Sequence, residues 1–415
     1  MILLSHPTAN QNVRQTALAF AEANLLKEFW TCINWKQDGL LDRLAVFSPR
    51  VQSELRRRSF PKELAPFIRT HPAREWIRLA ADKLGWRRLT QDEHAPFSVD
   101  AIYTEMDGRV AERVKSGLTI KAIYAYDSGA LSTFRMAGQR GVTCIYEHPT
   151  IYWRLVQQLQ REEAELHPDW APTLGALADS EEKLARKDEE LARADLVVTA
   201  STFARDSVAR APGLKAPIRV IPYGTIPGSL NPSRVPVHGK LRVLFVGMLS
   251  QAKGLGYLLE AVGRFDREIE LTLIGRRISP TVPAPSVLEK YRWIPSLPHA
   301  EILQEMARND VLVLPSLHEG FGLVLTEAMS QGLAVITTPH TAGPDLITDG
   351  INGLLVPIRS SEAIEEALAH LLRNRDHLAA MQKAARRRVH ACSWENYRSR
   401  LAQLAREVMD RAVQP

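Results

Sequence analysis

The sequence predicts an α/β protein made of two parallel-sheet domains, and three observations point there. The chain has 415 residues, more than one hydrophobic core ordinarily organises and suited to two domains of roughly 200 residues each. Short apolar strands alternate with helical segments along most of it, and such alternation implies parallel sheets covered by helices on both faces. Near the middle, Gly224–Gly239 holds Pro227, Pro232 and Pro236 with almost no apolar pattern, the signature of a linker. The expected organisation is a first domain over 1–225, a linker over 226–240, a second domain over 241–393 and a terminal segment over 394–415. Apolar residues at 45% and charged residues at 24% fit a soluble globular protein.

In the first half, Met1–Ser5 reads as a strand. The turn His6–Asn10 then leads into a helix with Val13, Ala17, Leu18, Ala21 and Leu25 at helical spacing. Thr31–Asn34, Arg43–Phe47, Val99–Tyr103, Leu118–Tyr126, Val142–Tyr146, Asp195–Ala200 and Ile218–Tyr223 read as further strands. Trp153–Arg193 reads as a charged helical region broken by prolines near His167–Thr173. In the second half the expected strands are Leu241–Gly247, Glu270–Gly275, Tyr291–Ile294, Asp310–Pro315, Leu333–Thr338 and Gly353–Pro357. The helices fall between them and over Ser361–Arg373, His377–His390 and Trp394–Val413.

Charge is unevenly placed. The net charge is +6, yet Arg50–Thr90 alone carries 11 Lys/Arg against 4 Asp/Glu, interleaved with Phe60, Phe67, Trp76 and Trp86. A basic stretch with aromatics suits an anionic membrane surface or an anionic acceptor, against the plainer reading of a solvated helical face. No nucleic-acid motif accompanies it, so nucleic acid is not an expected partner. No apolar run approaches the roughly 20 residues of a membrane span. The start MILLSHPTANQNVR lacks the basic and apolar regions of a signal peptide. Cys32, Cys144 and Cys392 form no C-x-x-C and suit a reducing cytosol. The expected location is cytoplasmic, with peripheral contact to the inner face of an anionic membrane through 50–90.

The chemistry concentrates in Leu314–Thr337. An apolar strand breaks at Ser316–Glu319, turns through Gly320-Phe321-Gly322 and continues as a helix that leads to a second apolar strand. That order is one βαβ unit with a site at the strand's carboxyl end. Glu319 in the turn and Glu327 in the helix can face one cleft, where carboxylates accept hydrogen bonds from vicinal hydroxyls. The amides of Phe321, Gly322 and Leu323 open the helix and favour an anion, most naturally phosphate. Lys253 lies in a similar turn, Ser250–Gly254, after the first strand of the second half, a point charge suited to a diphosphate. In the first half His148, beside Glu147 at a strand end, can orient or activate a hydroxyl. Asp127 and His6 also end strands and are weaker candidates for the same cleft.

Several signals are absent. There is no Asp-x-Asp, so the usual carboxylate pair for a divalent ion on a nucleotide diphosphate is missing, and no metal is expected. Gly254-Leu255-Gly256 and Gly320-Phe321-Gly322 each lack the third glycine of a dinucleotide fingerprint, and there is no P-loop. These gaps disfavour a nicotinamide-dependent oxidoreductase.

EGFGLVLTEA (Glu319–Ala328) resembles the E-x7-E motif of the retaining family-4 glycosyltransferases, which have the two-domain GT-B fold. FVGMLSQAKG (Phe245–Gly254) resembles that family's phosphate-binding turn, and the Gly343–Gly350 run is also similar. The resemblance covers most of Leu241–Val389. It is looser over Ala194–Asp206 and Ile218–Gly224. It implies two Rossmann-like domains facing across a cleft, with the final helix from Trp394 crossing back to the first. It further implies Lys253 on the donor diphosphate, Glu327 on the ribose hydroxyls, Glu319 near the transferred sugar and His148 facing the acceptor. Where the family often carries Arg after the first glycine, this chain has Met248, so Arg276 or Arg277 is the expected substitute. The reading is a retaining, metal-independent transferase (EC 2.4). It would move a sugar from a nucleotide-sugar to a saccharide or lipid-linked acceptor without a cofactor. Its rival is a binding or scaffolding protein that kept the fold and lost catalysis.

Overall fold

The computed structural model describes residues 1–36, 49–226, 239–265 and 267–411. The α/β expectation holds: two all-parallel sheets carry the fold. The first contains β1 (Ile2–Ser5), β2 (Leu26–Thr31), β3 (Ile68–Thr70), β4 (Ala122–Tyr126), β5 (Thr143–His148), β6 (Leu196–Thr199) and β7 (Ile218–Val220). Their order is β3-β2-β1-β4-β5-β6-β7. The second contains β8 (Leu241–Val246), β9 (Ile269–Ile274), β10 (Arg292–Ile294), β11 (Val311–Leu314), β12 (Ala334–Thr337) and β13 (Leu354–Leu355). Their order is β10-β9-β8-β11-β12-β13. β1, β4, β11 and β12 are buried along their whole length, because helices cover both sheet faces. That burial is why they read as unbroken apolar runs.

Each sheet reverses its strand order beside its first strand, β1 next to β4 and β8 next to β11. At such a switch point the loops leaving the two strands diverge and open a crevice at the carboxyl edge. One ion pair fixes the start of the second sheet. The Arg242 guanidinium meets the fully buried Asp310 carboxylate at 2.7 Å, tying β8 to the entrance of β11.

The last helix, Trp394–Arg411, packs on the first domain against helix Gln11–Glu22. Tyr397 hydrogen-bonds Thr16 at 2.8 Å, and Arg398 pairs with Glu22 at 2.9 Å. Gly224 lies where the chain leaves the first domain, and a Cβ there would meet the Trp394 backbone at 2.5 Å. Thr225 and Ser393 form a parallel bridge at that crossing.

Four local readings change. Val99–Tyr103 is the start of helix Val99–Lys115, not a strand. The Ser98 hydroxyl caps it by accepting from the Ala101 amide at 3.0 Å, with Asp100 in the first turn. The strand expected at Thr31–Asn34 ends at Thr31 and begins at Leu26. Lys27 and Glu28 hide it, and Glu28 is polar yet buried because it pairs with Arg113 at 2.7 Å. The basic segment contains β3 as well as helix Ala73–Lys83. His377–His390 begins two residues earlier, at Arg375. The expected strand Arg43–Phe47, most of the linker and the residues after Arg411 lie outside the described residues.

Candidate active site

Because β8 and β11 are neighbours, the turns leaving them are neighbours too. The Ser250–Gly254 turn follows β8 and the Ser316–Gly322 turn follows β11, and Lys253 and Glu319 meet there as an ion pair. The Ser316 hydroxyl donates to the same Glu319 carboxylate at 3.0 Å. Gly254 has φ +70°, and its Cβ position would lie 2.0 Å from the Pro315 carbonyl oxygen. Only glycine brings the two turns this close. Helix Leu323–Gln331 opens at Gly322 with no side chain capping it, which leaves its N-terminus without a side-chain acceptor; Gly322 and Leu323 are not among the cavity-lining residues.

A cavity of about 430 Å³ lies between the domains at this point. Met248, Lys253, His318 and Glu319 line it from the second domain, and Asp127, His148 and Lys187 from the first. His148 ends β5 and Asp127 follows β4, adjacent strands of the first sheet. The His148 Nδ1 sits 3.0 Å from the Thr150 carbonyl oxygen, which can only accept, so Nδ1 carries the proton. That leaves Nε2 as the ring nitrogen open to another partner. Burial opposes ionisation of Asp127, but the His148 ring, Lys187 and the Tyr146 hydroxyl together hold its carboxyl below the usual range. Burial pushes the His318 ring down to about 4, against the Glu319 carboxylate beside it. Uncharged, its Nε2 accepts from the Gln160 side-chain amide at 3.1 Å.

The structure thus gathers Lys253, Glu319, Gly320, His148 and Asp127 around one space. Gly320 serves an approach rather than a turn: a Cβ there would sit 1.9 Å from the Pro149 carbonyl oxygen, across the domain boundary. The Ser201 hydroxyl donates to the Gly320 carbonyl at 2.6 Å from the same side. Phe321 offers only its backbone, since its ring is buried edge-on to Tyr223 at 5.5 Å.

Other candidates stand elsewhere. Glu147 alternates to the opposite face of β5 from His148. It is 1% exposed and accepts from the hydroxyls of Tyr124 at 2.6 Å and Tyr223 at 2.5 Å. Burial raises its carboxyl despite those donors. It is a core node beneath the final helix, not a cleft residue. His6 is also buried, with its ring edge-on to Tyr126 at 4.7 Å, and desolvation lowers it to about 4. Arg276 is exposed but does not line the cavity, and Arg277 is engaged with the carbonyls of Pro280 and Pro283. Glu327 lies outside the cavity, paired with His299 at 2.8 Å, and this pairing raises the histidine. His299 in turn lines a second hollow of about 940 Å³ between the domains, opposite Arg57 and Lys62. Part of the basic segment therefore faces the cleft.

Sequence reasoning missed Glu163. It is fully buried on helix Trp153–Leu166 of the first domain and accepts from three second-domain groups. These are the Gln251 side-chain amide at 2.7 Å, the Tyr257 hydroxyl at 2.8 Å and Arg359 Nε at 2.8 Å. Gln251 belongs to the Lys253 turn, and its backbone amide donates to Thr173 of the first domain at 3.0 Å. Gln160, one helical turn before Glu163, reaches the other turn through His318. One first-domain helix thus holds both turns. A glutamate in a charged amphipathic helix gives no sequence signal of this, since any such residue can be solvated.

Residues 231–388 match the family model described as glycosyl transferases group 1. A D-inositol 3-phosphate glycosyltransferase of Corynebacterium urealyticum is 29% identical over 42% of this chain and 44% of its own length. A glycogen synthase of Mycobacterium tuberculosis is 30% identical over 56% of this chain and 57% of its own. The chain therefore spans about half the length of the curated relatives it matches. Among solved structures, sucrose-phosphate synthase from Thermosynechococcus elongatus superposes with a TM-score of 0.67 at 18% identity, covering 99% of both chains. Anabaena HepE in complex with UDP-glucose superposes with a TM-score of 0.61 at 16% identity, covering 98% of this chain and 99% of that one. At those identities the likeness concerns the fold. Residues 231–388 are thus similar to the group 1 glycosyl transferases, and the chain as a whole has the GT-B fold.

Proposed function

We propose that this chain transfers a sugar from a nucleotide-sugar to a hydroxyl of a saccharide or lipid-linked acceptor. We propose further that it does so with retention at the anomeric carbon and without a metal ion. The observation that carries the reading is the meeting of Lys253 and Glu319 at the switch point of the second sheet, with His148 and Asp127 across the same cavity. The family match of 231–388 and the UDP-glucose complex of HepE support a nucleotide-sugar donor.

In this reading the diphosphate takes the Lys253 ammonium from Glu319 and lies against the uncapped amides at Phe321–Leu323. Cation and helix terminus then stabilise the charge that develops as the anomeric C–O bond breaks. The acceptor oxygen bonds to that carbon on the face the diphosphate leaves, and its proton passes to the departing phosphate oxygen. Glu319 accepts from the sugar hydroxyls, Glu327 exchanges His299 for the ribose, and His148 Nε2 orients the acceptor. The absence of Asp-x-Asp supports metal independence, with Lys253 in the role of the cation. The basic segment 50–90 suits an acceptor presented at an anionic membrane face.

The deciding experiment is transfer and hydrolysis with a panel of UDP-, GDP- and ADP-sugars. Lys253→Ala and Glu319→Ala are each expected to lower turnover at least about tenfold with the fold intact. Unchanged turnover in both variants would sink the assignment. Met248, 49% exposed at the cavity where relatives often carry a cation, favours one rival: a chain that binds nucleotide-sugar without transferring it. Donor binding with no turnover on any donor would favour that rival.

A further inference from the structure

The first domain carries an apolar tip that nothing among the described residues covers. Helix Ala73–Lys83 ends in the run Asp82-Lys83-Leu84-Gly85-Trp86-Arg87-Arg88, and every residue of that run is exposed. Leu84 is 60% and Trp86 56% exposed, the helix adds Ile77 at 44% and Trp76 at 38%, and large apolar side chains are rarely gathered like this on a water-facing surface. The surrounding charge is mainly positive. Lys83, Arg87 and Arg88 flank Leu84 and Trp86, while the single acid of the run, Asp82, is engaged by Arg78 at 2.9 Å. Basic residues in the preceding helix are paired off: Arg74 with Glu105 at 3.1 Å and Arg78 with Glu75 at 2.7 Å. The cations at the tip are therefore the ones available to an outside partner.

We propose that this tip docks the protein on an anionic bilayer surface. Trp86 and Leu84 would enter the interfacial layer, and Lys83, Arg87 and Arg88 would meet lipid phosphates. The chemistry selects that occupant. Indole and leucine side chains bury favourably at the boundary between headgroups and acyl chains, and arginine and lysine reach anionic headgroups from the same depth. A protein partner would need a sculpted counter-surface, whereas a bilayer accepts an exposed apolar run as it is. The tip also stands on the acceptor half. Glu75 and Arg78 of the same helix line a hollow with the Pro7–Asn10 turn that leaves β1. Docking there would bring the first-domain side of the cleft to a membrane-held acceptor, which deepens the transferase reading and rests on it only for that last step.

The test uses the full chain and sedimentation with vesicles, which needs no turnover. The vesicles are phosphatidylcholine alone or phosphatidylcholine with about one-third phosphatidylglycerol, in salt of about 0.1 M and about 1 M, where screening lengths fall from about 10 Å to about 3 Å. Co-sedimentation is expected with the anionic vesicles at low salt and at least about fivefold less at high salt. Leu84→Ala with Trp86→Ala, and separately Lys83→Gln with Arg87→Gln and Arg88→Gln, are each expected to cut binding at least about fivefold. Thermal unfolding and nucleotide binding should stay as in the unaltered chain. No low-salt co-sedimentation, or undiminished binding by both variants, overturns the proposal. So does binding to a single-stranded RNA oligonucleotide with none to vesicles. Vesicle binding by a Lys253→Ala protein that has lost turnover would uphold the docking tip independently of the site.

Discussion

Glu163 is, with Thr173, a residue through which the first domain holds the Lys253 turn, and its removal should loosen the two. Glu163→Ala deletes an acceptor that is 0% exposed and serves three donors across the boundary. The Gln251 amide and Tyr257 hydroxyl are themselves buried, so each is left without its acceptor in a space water reaches poorly. One such orphan costs about 1–3 kcal/mol, and stripping the partner from a buried ion pair costs about 3–5 kcal/mol. Arg359 keeps Glu162 at 2.9 Å and the Leu159 carbonyl at 2.9 Å, which softens the second figure. The closed arrangement should therefore weaken by about 3 kcal/mol, a factor of roughly 100 in the balance between closed and open domains. The assay pairs small-angle scattering with donor kinetics. The variant should be more extended than the unaltered chain without nucleotide, and donor kcat/KM should fall at least about tenfold, mostly through KM. Glu163→Gln keeps an acceptor oxygen and should lie between the two. An alanine variant as compact as the parent, with kcat/KM within a factor of about two, would refute the reasoning.

Two further outcomes follow from buried contacts. Gly320→Ala places a methyl group where the Pro149 carbonyl oxygen now stands 1.9 Å from the ideal Cβ, so the domains must part. Turnover should drop at least about tenfold while each domain keeps its melting transition, and wild-type turnover would refute the close approach. Glu190 is buried against Tyr146, and burial with the nearby Asp127 charge pushes its carboxyl up from 4.5 to about 8. Here the folded state holds a proton that the unfolded chain releases. The contribution is full below 4.5 and is lost as pH rises toward 8, at most about 1.4 kcal/mol per pH unit. Glu190→Gln should remove that decline, so unfolding curves that run parallel for parent and variant between these limits would refute the shift.

Much of this protein is legible in its sequence, and the reasons are local. The apolar runs of β8, β11 and β12, each stopped by a turn residue, announced strands buried on both faces. The uncapped glycine turn before Leu323 announced an anion-favouring helix terminus. The strand over Leu26–Thr31 was hidden because Glu28 is polar for a partner, Arg113, 85 positions away. Val99–Tyr103 misled because its β-branched and aromatic residues outweighed, on paper, a serine cap that only backbone geometry reveals.

What the sequence by itself determined is therefore the inventory: two parallel-sheet units, two turns fit for an anion, and a basic segment with aromatics. What tertiary structure decided is which of these meet. Strand order set β8 beside β11 and so joined Lys253 to Glu319 across 66 positions. Strand alternation turned His148 to the cleft and its neighbour Glu147 into the tyrosine core. Domain closure gave Glu163, Gln160 and Gly320 their roles. Each of these outcomes depends on contacts between residues far apart in the chain, and no local pattern of residue types encodes such a contact.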